Sequence, residues 1–249
     1  MKPTPEKNAP KTLKAEDIVF SQGHGTRKQC RAMLAAGSVE FQMPGGTWNP
    51  LGIDDDLDPL HGHLRVNGMA LPWLAEIHLI LHKPPGYECS RQPSHHPSVF
   101  DLLPAPWVNR GLQAAGRLDA DTTGLLIFST VGGFLHGITS PKKHQPKVYR
   151  VGHAVPLSPA ALQSLAAGVL LRGETEATLP ASLEPLHPFE TRITIHEGRY
   201  HQVKRMFAAT GSAVIALHRE AIGPLVMEPG LAPGCWRLMT PSEILGLQG

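Results

Sequence analysis

The sequence predicts a mixed α/β chain in two parts, a small N-terminal module ahead of a larger body, on three observations. Residues up to about Leu74 carry one short amphipathic helix and a hairpin, whereas from Glu76 onward strand-like and helix-like segments alternate. Two apolar runs, Gly124-Leu-Leu-Ile-Phe128 and Gly168-Val-Leu-Leu171, have strand length and fall far short of a membrane span. With 249 residues, 41% of them hydrophobic and 18% charged, the chain can bury a sizeable core.

Each element has its own signal. Met1 to Lys14 is rich in Lys and Pro without an apolar stretch, which reads as a disordered basic tail rather than a secretory signal. Thr26 to Ala36 reads as a helix capped by Thr26, with Cys30, Met33 and Leu34 on one face and Gly37 closing it in the left-handed conformation. Val39 to Phe41 reads as a strand, and a Gly/Pro/Asp-rich excursion runs from Met43 to His63. Leu64 to Leu71 reads as a hairpin turning at Asn67-Gly68. In the body, Glu76 to His82 alternates like a half-buried strand. Gly124 to Ser129, Val148 to Val155, Arg192 to His196 and Ser212 to His218 read as further strands. Ser158-Pro159 opens one helix, with Leu162 and Leu165 inside and Gly168 at its end. Tyr200 to Thr210 reads as another, with Val203, Met206 and Phe207 inward, and Thr240-Pro-Ser-Glu243 as a capping box.

The net charge of +2 is modest, but its distribution is uneven. Lys142, Lys143, His144, Lys147 and Arg150 form one basic run; Arg199, His201, Lys204 and Arg205 form a second; Arg27, Lys28 and Arg31 form a third. Acids gather at Asp54 to Asp58 and between Glu174 and Glu190. A charge run is commonly a solvated face; three of them, two beside unusual polar motifs, also suit a polyanion such as nucleic acid. The three cysteines, Cys30, Cys89 and Cys235, are far apart in sequence, so neither a disulfide framework nor a zinc site is expected. His61, His63, His95 and His96 sit in loops without partners at metal spacing.

Three segments can carry chemistry. Ala115 to Leu126 places Arg117, Asp119 and Asp121 in a Gly-bounded loop before a buried strand, where a carboxylate can be positioned accurately; a plain Asp-stabilised turn fits the same residues. Glu197 to Phe207 gathers Arg199, His201, Gln202, Lys204 and Arg205 at a helix opening, suited to phosphate contacts or simply to an exposed face. Ser140 to Tyr149 interleaves cations with Tyr149, which fits a core strand position equally well.

Gly116-Arg-Leu-Asp119, Thr123-Gly-Leu-Leu126, Lys147-Val-Tyr149 and Glu197-Gly-Arg-Tyr-His-Gln-Val-Lys-Arg-Met-Phe207 resemble, in order, the motifs of the ribosomal pseudouridine synthases. Leu81-His-Lys-Pro-Pro-Gly86 resembles the strand and turn that open their catalytic domain. Gly137-Ile-Thr-Ser-Pro141 and Leu217-His-Arg-Glu220 look most like the branch acting on 16S rRNA. The resemblance implies an α+β fold, with a mixed, largely antiparallel central sheet flanked by helices over residues 75–249. Residues 15–74 are similar to an S4-like RNA-binding module, with the 43–63 stretch as an acidic insertion. Ser129-Thr-Val-Gly-Gly133 departs from the family, which usually has an acid or amide before the glycine, and Gly137 stands where Arg is common.

By this resemblance Asp119 is the catalytic carboxylate, either nucleophile or base. Tyr149 stacks on the base taken out of the RNA, and Lys204 is the cation paired with Asp119. Arg117, Lys147, Arg199, His201, Gln202, Arg205 and Leu217 line or approach the substrate, and Arg27, Lys28 and Arg31 give the module its phosphate contacts. Isomerisation is redox-neutral and transfers no external group, so neither metal nor cofactor is expected. The expected partner is 16S rRNA or a small-subunit assembly particle, met by a cytoplasmic monomer with no membrane contact. Two other readings stand beside this one: a non-catalytic RNA-binding or ribosome-assembly factor, and a synthase acting on 23S rRNA. A hydrolase lacks a Ser or Cys nucleophile motif such as Gly-x-Ser-x-Gly.

Overall fold

The computed structural model describes residues 12–140 and 143–248. It divides into two compact units, Met1–Ile77 with Pro104–Leu112, and His78–Leu103 with Gln113–Gly249. Most of the expected basic tail, together with Pro141 and Lys142, lies outside the described residues. The end of that tail is ordered, however: Leu13–Lys14 pairs with Asp56–Leu57. The sequence boundary near Leu74 also misses Pro104–Leu112, which returns to the first unit.

The first unit contains β1 (Leu13–Lys14), α1 (Ala15–Ser21), α2 (Arg27–Ala35), β2 (Val39–Gln42), β3 (Asn49–Pro50), β4 (Asp56–Leu57), β5 (His63–Val66), β6 (Met69–Pro72) and α3 (Ala105–Asn109). Thr26 starts α2 through a reciprocal capping box with Gln29, and Gly37 ends it at φ +65°. Asn67 and Gly68 both take positive φ, +48° and +82°, as the expected hairpin turn requires. Four strands run β3-β2-β5-β6, all antiparallel. Ile18, Val19, Cys30, Leu34, Phe41, Leu51 and Leu64 form the core beneath them. The 43–63 excursion therefore supplies β3, β4 and the buried Leu51 rather than a bare loop.

The second unit contains β7 (His78–Lys83), β8 (Gln113–Ala114), β9 (Thr123–Ser129), α4 (Gly132–Thr139), β10 (Lys147–His153), α5 (Pro159–Ala167), β11 (Ser182–His187), β12 (Glu190–Ile195), α6 (Gln202–Ala209), β13 (Val214–Ile222), β14 (Leu225–Val226), β15 (Trp236–Leu238) and α7 (Pro241–Gln248). Its sheet runs β11-β12-β10-β13-β9-β7-β15, with β8 on β9 and β14 on β13. Every pairing is antiparallel except β13 with β9. This is the mixed, largely antiparallel sheet that the sequence implied.

Apolar residues cover the sheet in two clusters. One joins Val151, Leu165, Ile193, Met206 and Phe207, and the other joins Ile80, Leu125, Ile127, Phe134, Ile138 and Leu247. The strand β7 is not half-buried as its alternation suggested: Leu79, Ile80 and Leu81 are all fully buried, because both faces of a central strand are covered. Several boundaries also move. The strand expected over Ser212 to His218 is Val214–Ile222, and the helix expected from Tyr200 begins only at Gln202.

Candidate active site

One cleft of about 220 Å³ opens in the second unit. The loop from Ala115 to Thr122, β10, the turn before α6, and β13 all contribute to it. Where β9 meets β13 in parallel, Gly124 faces Arg219 at φ +106°. A Cβ there would lie 2.3 Å from the Arg219 carbonyl oxygen, so only glycine permits the approach that brings the Asp119 loop against β13.

The loop is fixed from below by Lys83, at the end of β7 and fully buried. Its Nζ donates to the carbonyls of Pro84, Ala120 and Thr122 at 2.9–3.0 Å. Burial pushes the Lys83 ammonium below the ordinary lysine value, against the pull of nearby Cys89, Asp121 and Asp119. Gly86 donates its backbone N–H to the Ala120 carbonyl at 2.7 Å, a second tie on the same turn.

Asp119 is partly shielded, its side chain 25% exposed, and both carboxylate oxygens have cationic or protic neighbours. Lys204 Nζ lies 2.9 Å from Oδ2, and His201 Nε2 lies 3.2 Å from Oδ1. The expected pairing of Lys204 with Asp119 is therefore present, but Lys204 also donates to Asp121 Oδ1 at 2.6 Å. Burial alone would lower the Lys204 ammonium; hydrogen bonds and charge from Asp121 and Asp119 outweigh it and hold the group above its usual value. Burial raises Asp121, but Lys204 wins there too and sets it below the usual carboxylate value.

The turn before α6 delivers His201 and Lys204 together. His201 occupies the left-handed region at φ +46°, uncommon for a residue with a side chain, and its ring stacks on Tyr200 at 3.8 Å. Buried Gln202 accepts the Arg199 N–H and donates to Glu197, both at 2.8 Å, which locks the turn.

Across the cleft, Tyr149 on β10 is only 7% exposed yet lines the opening, so it is both a core strand residue and a wall of the site. Leu217 on β13 is another wall, with Leu118, Ile138, Ile195 and Val203. Lys147 lines the cleft and donates to the Gln145 carbonyl at 3.0 Å; burial, then the charge of Arg219, pushes it below the ordinary lysine value. Arg117 is exposed on the cleft lining.

Other expected contacts are placed differently. Arg199 lines the cleft, but its guanidinium is engaged by Glu197 and by the carbonyls of Glu176 and Ala177. Arg205 is not on the cleft lining and is held by Glu174 and the carbonyls of Tyr200 and Arg172. In the other unit, Arg27 and Arg31 pair with Glu16, and Arg27 also with Asp17; Lys28 is exposed.

Comparison with known proteins assigns the class. The family model described as RNA pseudouridylate synthase matches residues 77–209. "Ribosomal small subunit pseudouridine synthase A" of Pasteurella multocida is 45% identical over 180 residues, 72% of this chain and 77% of that protein. The protein of the same name from Vibrio parahaemolyticus is 40% identical over 225 residues, 88% and 92% of the two chains. A solved structure described as "Crystal structure of pseudouridylate synthase" superposes with a TM-score of 0.67 at 35% identity, covering 94% of this chain and 99% of that one. The chain belongs to the RNA pseudouridylate synthase family and is an enzyme of that class.

Sequence reasoning missed Lys83, Asp121 as a second partner of Lys204, His201 as a neighbour of Asp119, and Thr122 and Arg219 on the cleft lining. The available signal was position. Lys83 ends a strand before Pro84-Pro85-Gly86, and Arg219 lies two residues beyond Leu217, on the same strand face. Among the described residues, no three His, Cys, Asp or Glu side chains are grouped to hold a metal ion, and no helix is long and apolar enough to cross a membrane.

Proposed function

We propose that this enzyme isomerises uridine to pseudouridine in RNA of the small ribosomal subunit, with Asp119 as the reacting carboxylate. The observation that carries the assignment is the placement of Asp119 on the cleft lining, with Lys204 and His201 on its two oxygens and Tyr149 lining the same cleft. The small-subunit substrate is supported by the names of the relatives from Pasteurella, Vibrio and Escherichia coli, the last 47% identical over 167 residues.

The reaction breaks the C1′–N1 bond, turns the uracil within the site and forms a C1′–C5 bond, leaving overall composition unchanged. An ionised carboxylate serves it by attacking C1′ or by taking a sugar proton. Lys204 favours the charged carboxylates on either side of it. Tyr149 provides the aromatic face for a base turned out of the RNA, and the apolar walls hold that base while it is free of the sugar. Arg117 and Lys147 bind flanking phosphates. The N-terminal unit, an S4-like RNA-binding module with Arg27, Lys28 and Arg31 on α2, adds phosphate contacts outside the cleft. The enzyme works as a cytoplasmic monomer on the rRNA or its assembly particle.

The test uses small-subunit rRNA tritiated at uridine C5, because forming the new carbon–carbon bond releases that label. Label release by the wild type and none by Asp119→Asn supports the proposal. Release only from large-subunit RNA contradicts the substrate, and full release by Asp119→Asn contradicts the role of Asp119.

A further inference from the structure

Among the described residues, four side chains carry a buried polar atom with no hydrogen-bond partner, and two of the four, Thr122 and Arg219, line this one cleft. Thr122 is 1% exposed and its Oγ1 is unpartnered; Arg219 is 2% exposed and its Nη2 is unpartnered. A buried polar group left unpaired is costly, so two on one small cavity call for an explanation in terms of what the cavity receives.

Neither atom is unpaired through loose placement. The Thr122 carbonyl is held by Lys83 at 2.9 Å and its N–H by the Asp119 carbonyl at 3.1 Å. Arg219 Nε donates to the Leu125 carbonyl at 2.8 Å, and Nη1 approaches the Tyr149 hydroxyl at 3.4 Å. Arg219 sits opposite Tyr149 in the β10–β13 register and opposite Gly124 in the β13–β9 pairing. Both groups are thus anchored by the elements that hold Asp119 and Tyr149, each with one polar function left over.

We infer that Thr122 and Arg219 are the pair that recognises the polar edge of the target uracil and distinguishes uridine from cytidine. This rests on the proposed placement of the substrate base in the Asp119 cleft. Uracil presents two carbonyl acceptors flanking an N3–H donor. Arg219 is a donor only and pairs with a carbonyl, whereas the Thr122 hydroxyl donates or accepts and can serve the carbonyl or N3–H beside it. Cytosine replaces one carbonyl with an amino donor and N3–H with an acceptor. An amino group facing Arg219 leaves two donors opposed, and a site built for hydrogen bonds rejects the analogue that cannot make them. Both groups remain useful through the reaction, because pseudouridine keeps the same two carbonyls and the N3–H.

The experiment uses the full chain and an rRNA fragment carrying uridine or cytidine at the mapped target position. Competition binding is measured for the wild type, Thr122→Val and Arg219→Lys, with single-turnover rates on the uridine RNA and melting temperatures for all three. Val matches Thr in shape, and Lys keeps the charge. The wild type is expected to prefer uridine by at least about tenfold, and both variants to fall to about threefold or less. Thr122→Val is expected to melt no lower than the wild type, since it removes an unpaired buried hydroxyl, and this separates recognition from a folding role. Variants that keep the wild-type preference and rate, or a wild type indifferent to the base, overturn the inference. An active Asp119→Asn control instead overturns the reading of the cleft, so the two failures are distinguishable.

Discussion

Two basic clusters look alike in the sequence and differ in the fold. Arg27, Lys28 and Arg31 lie on α2, and two of the three, both exposed arginines, pair with acids of the preceding helix, Glu16 and Asp17. In Arg199, His201, Lys204 and Arg205 the partners come from remote sequence as well, and one of them is the carboxylate on the cleft lining. A charge run gives the sign of a surface. It does not say whether each cation is neutralised by its neighbours, ties distant loops together, or holds a reactive group. Only the second cluster holds a carboxylate that lines the cleft, although Glu16 in the first is the more shielded, its side chain 13% exposed against 25% for Asp119.

The largest expected effect is at the centre of that second cluster. Asp119→Asn keeps volume but removes the charge, and single-turnover isomerisation should fall about a thousandfold or more, as for loss of a reacting acid–base or nucleophilic group. Affinity for RNA should stay within a few-fold. A large loss of affinity would make Asp119 a binding or structural residue instead.

Lys204→Met follows. A carboxylate deprived of a cation neighbour holds its proton more tightly, so the acid limb of the rate–pH profile should move to higher pH, with Lys204→Arg as the charge-retaining control. The loss of rate should be greatest on the acid side and should shrink as pH rises. Because Lys204 also holds Asp121, Asp121→Asn removes a competing anion and should move the acid limb the opposite way, to lower pH. A limb moved to higher pH, as in Lys204→Met, would mean that Lys204 acts through Asp121.

Tyr149 separates wall from contact. Tyr149→Phe should retain stacking and lose only the hydroxyl near Arg219, whereas Tyr149→Ala should lose about 1–3 kcal/mol of stacking in substrate binding. Equal damage from both would shift the role to the hydroxyl.

How far the sequence could be read follows the same division between local and remote. The Thr26 cap of α2, the Asn67-Gly68 turn, the Ser158 cap and the buried faces of α5 and α6 rest on signals within a few residues, and they were legible. Elements defined by distant partners were not. In β15, Trp236–Leu238 is too short to show a period, and its strand character comes from pairing with β7, some 150 residues earlier. The helix α4 contains Gly132, Gly133 and Gly137, against helix propensity, yet Phe134, Leu135 and Ile138 bury one face and prevail. Pro185 argues against a strand, but β11 is an edge where a missing N–H is tolerated. At the site, Asp119, Tyr149 and Lys204 were found by resemblance. Lys83 and Arg219 were not, because a cation in a mostly apolar strand becomes informative only once its buried partners are known.

The smallest expected effect tests the first cluster. Glu16 sits below the usual carboxylate value, chiefly through its hydrogen bond with Arg31. Its stabilising contribution is present above about pH 4.5, the ordinary glutamate value, and is lost as pH falls through the lowered folded value. Glu16→Gln should therefore flatten the acid side of the stability–pH curve slightly, while releasing Arg31 for phosphate and leaving Arg27 with Asp17 at 2.6 Å. RNA binding should tighten and its salt slope steepen by about one counterion. An unchanged slope would mean that α2 does not meet RNA.

The most direct test of the central claim is pseudouridine mapping of ribosomal RNA from cells lacking the protein, complemented with the wild type or with Asp119→Asn. One uridine of the small-subunit RNA should lose its modification, regain it with the wild type, and stay unmodified with Asp119→Asn. Restoration by the Asn variant, or a loss confined to large-subunit RNA, would contradict the account.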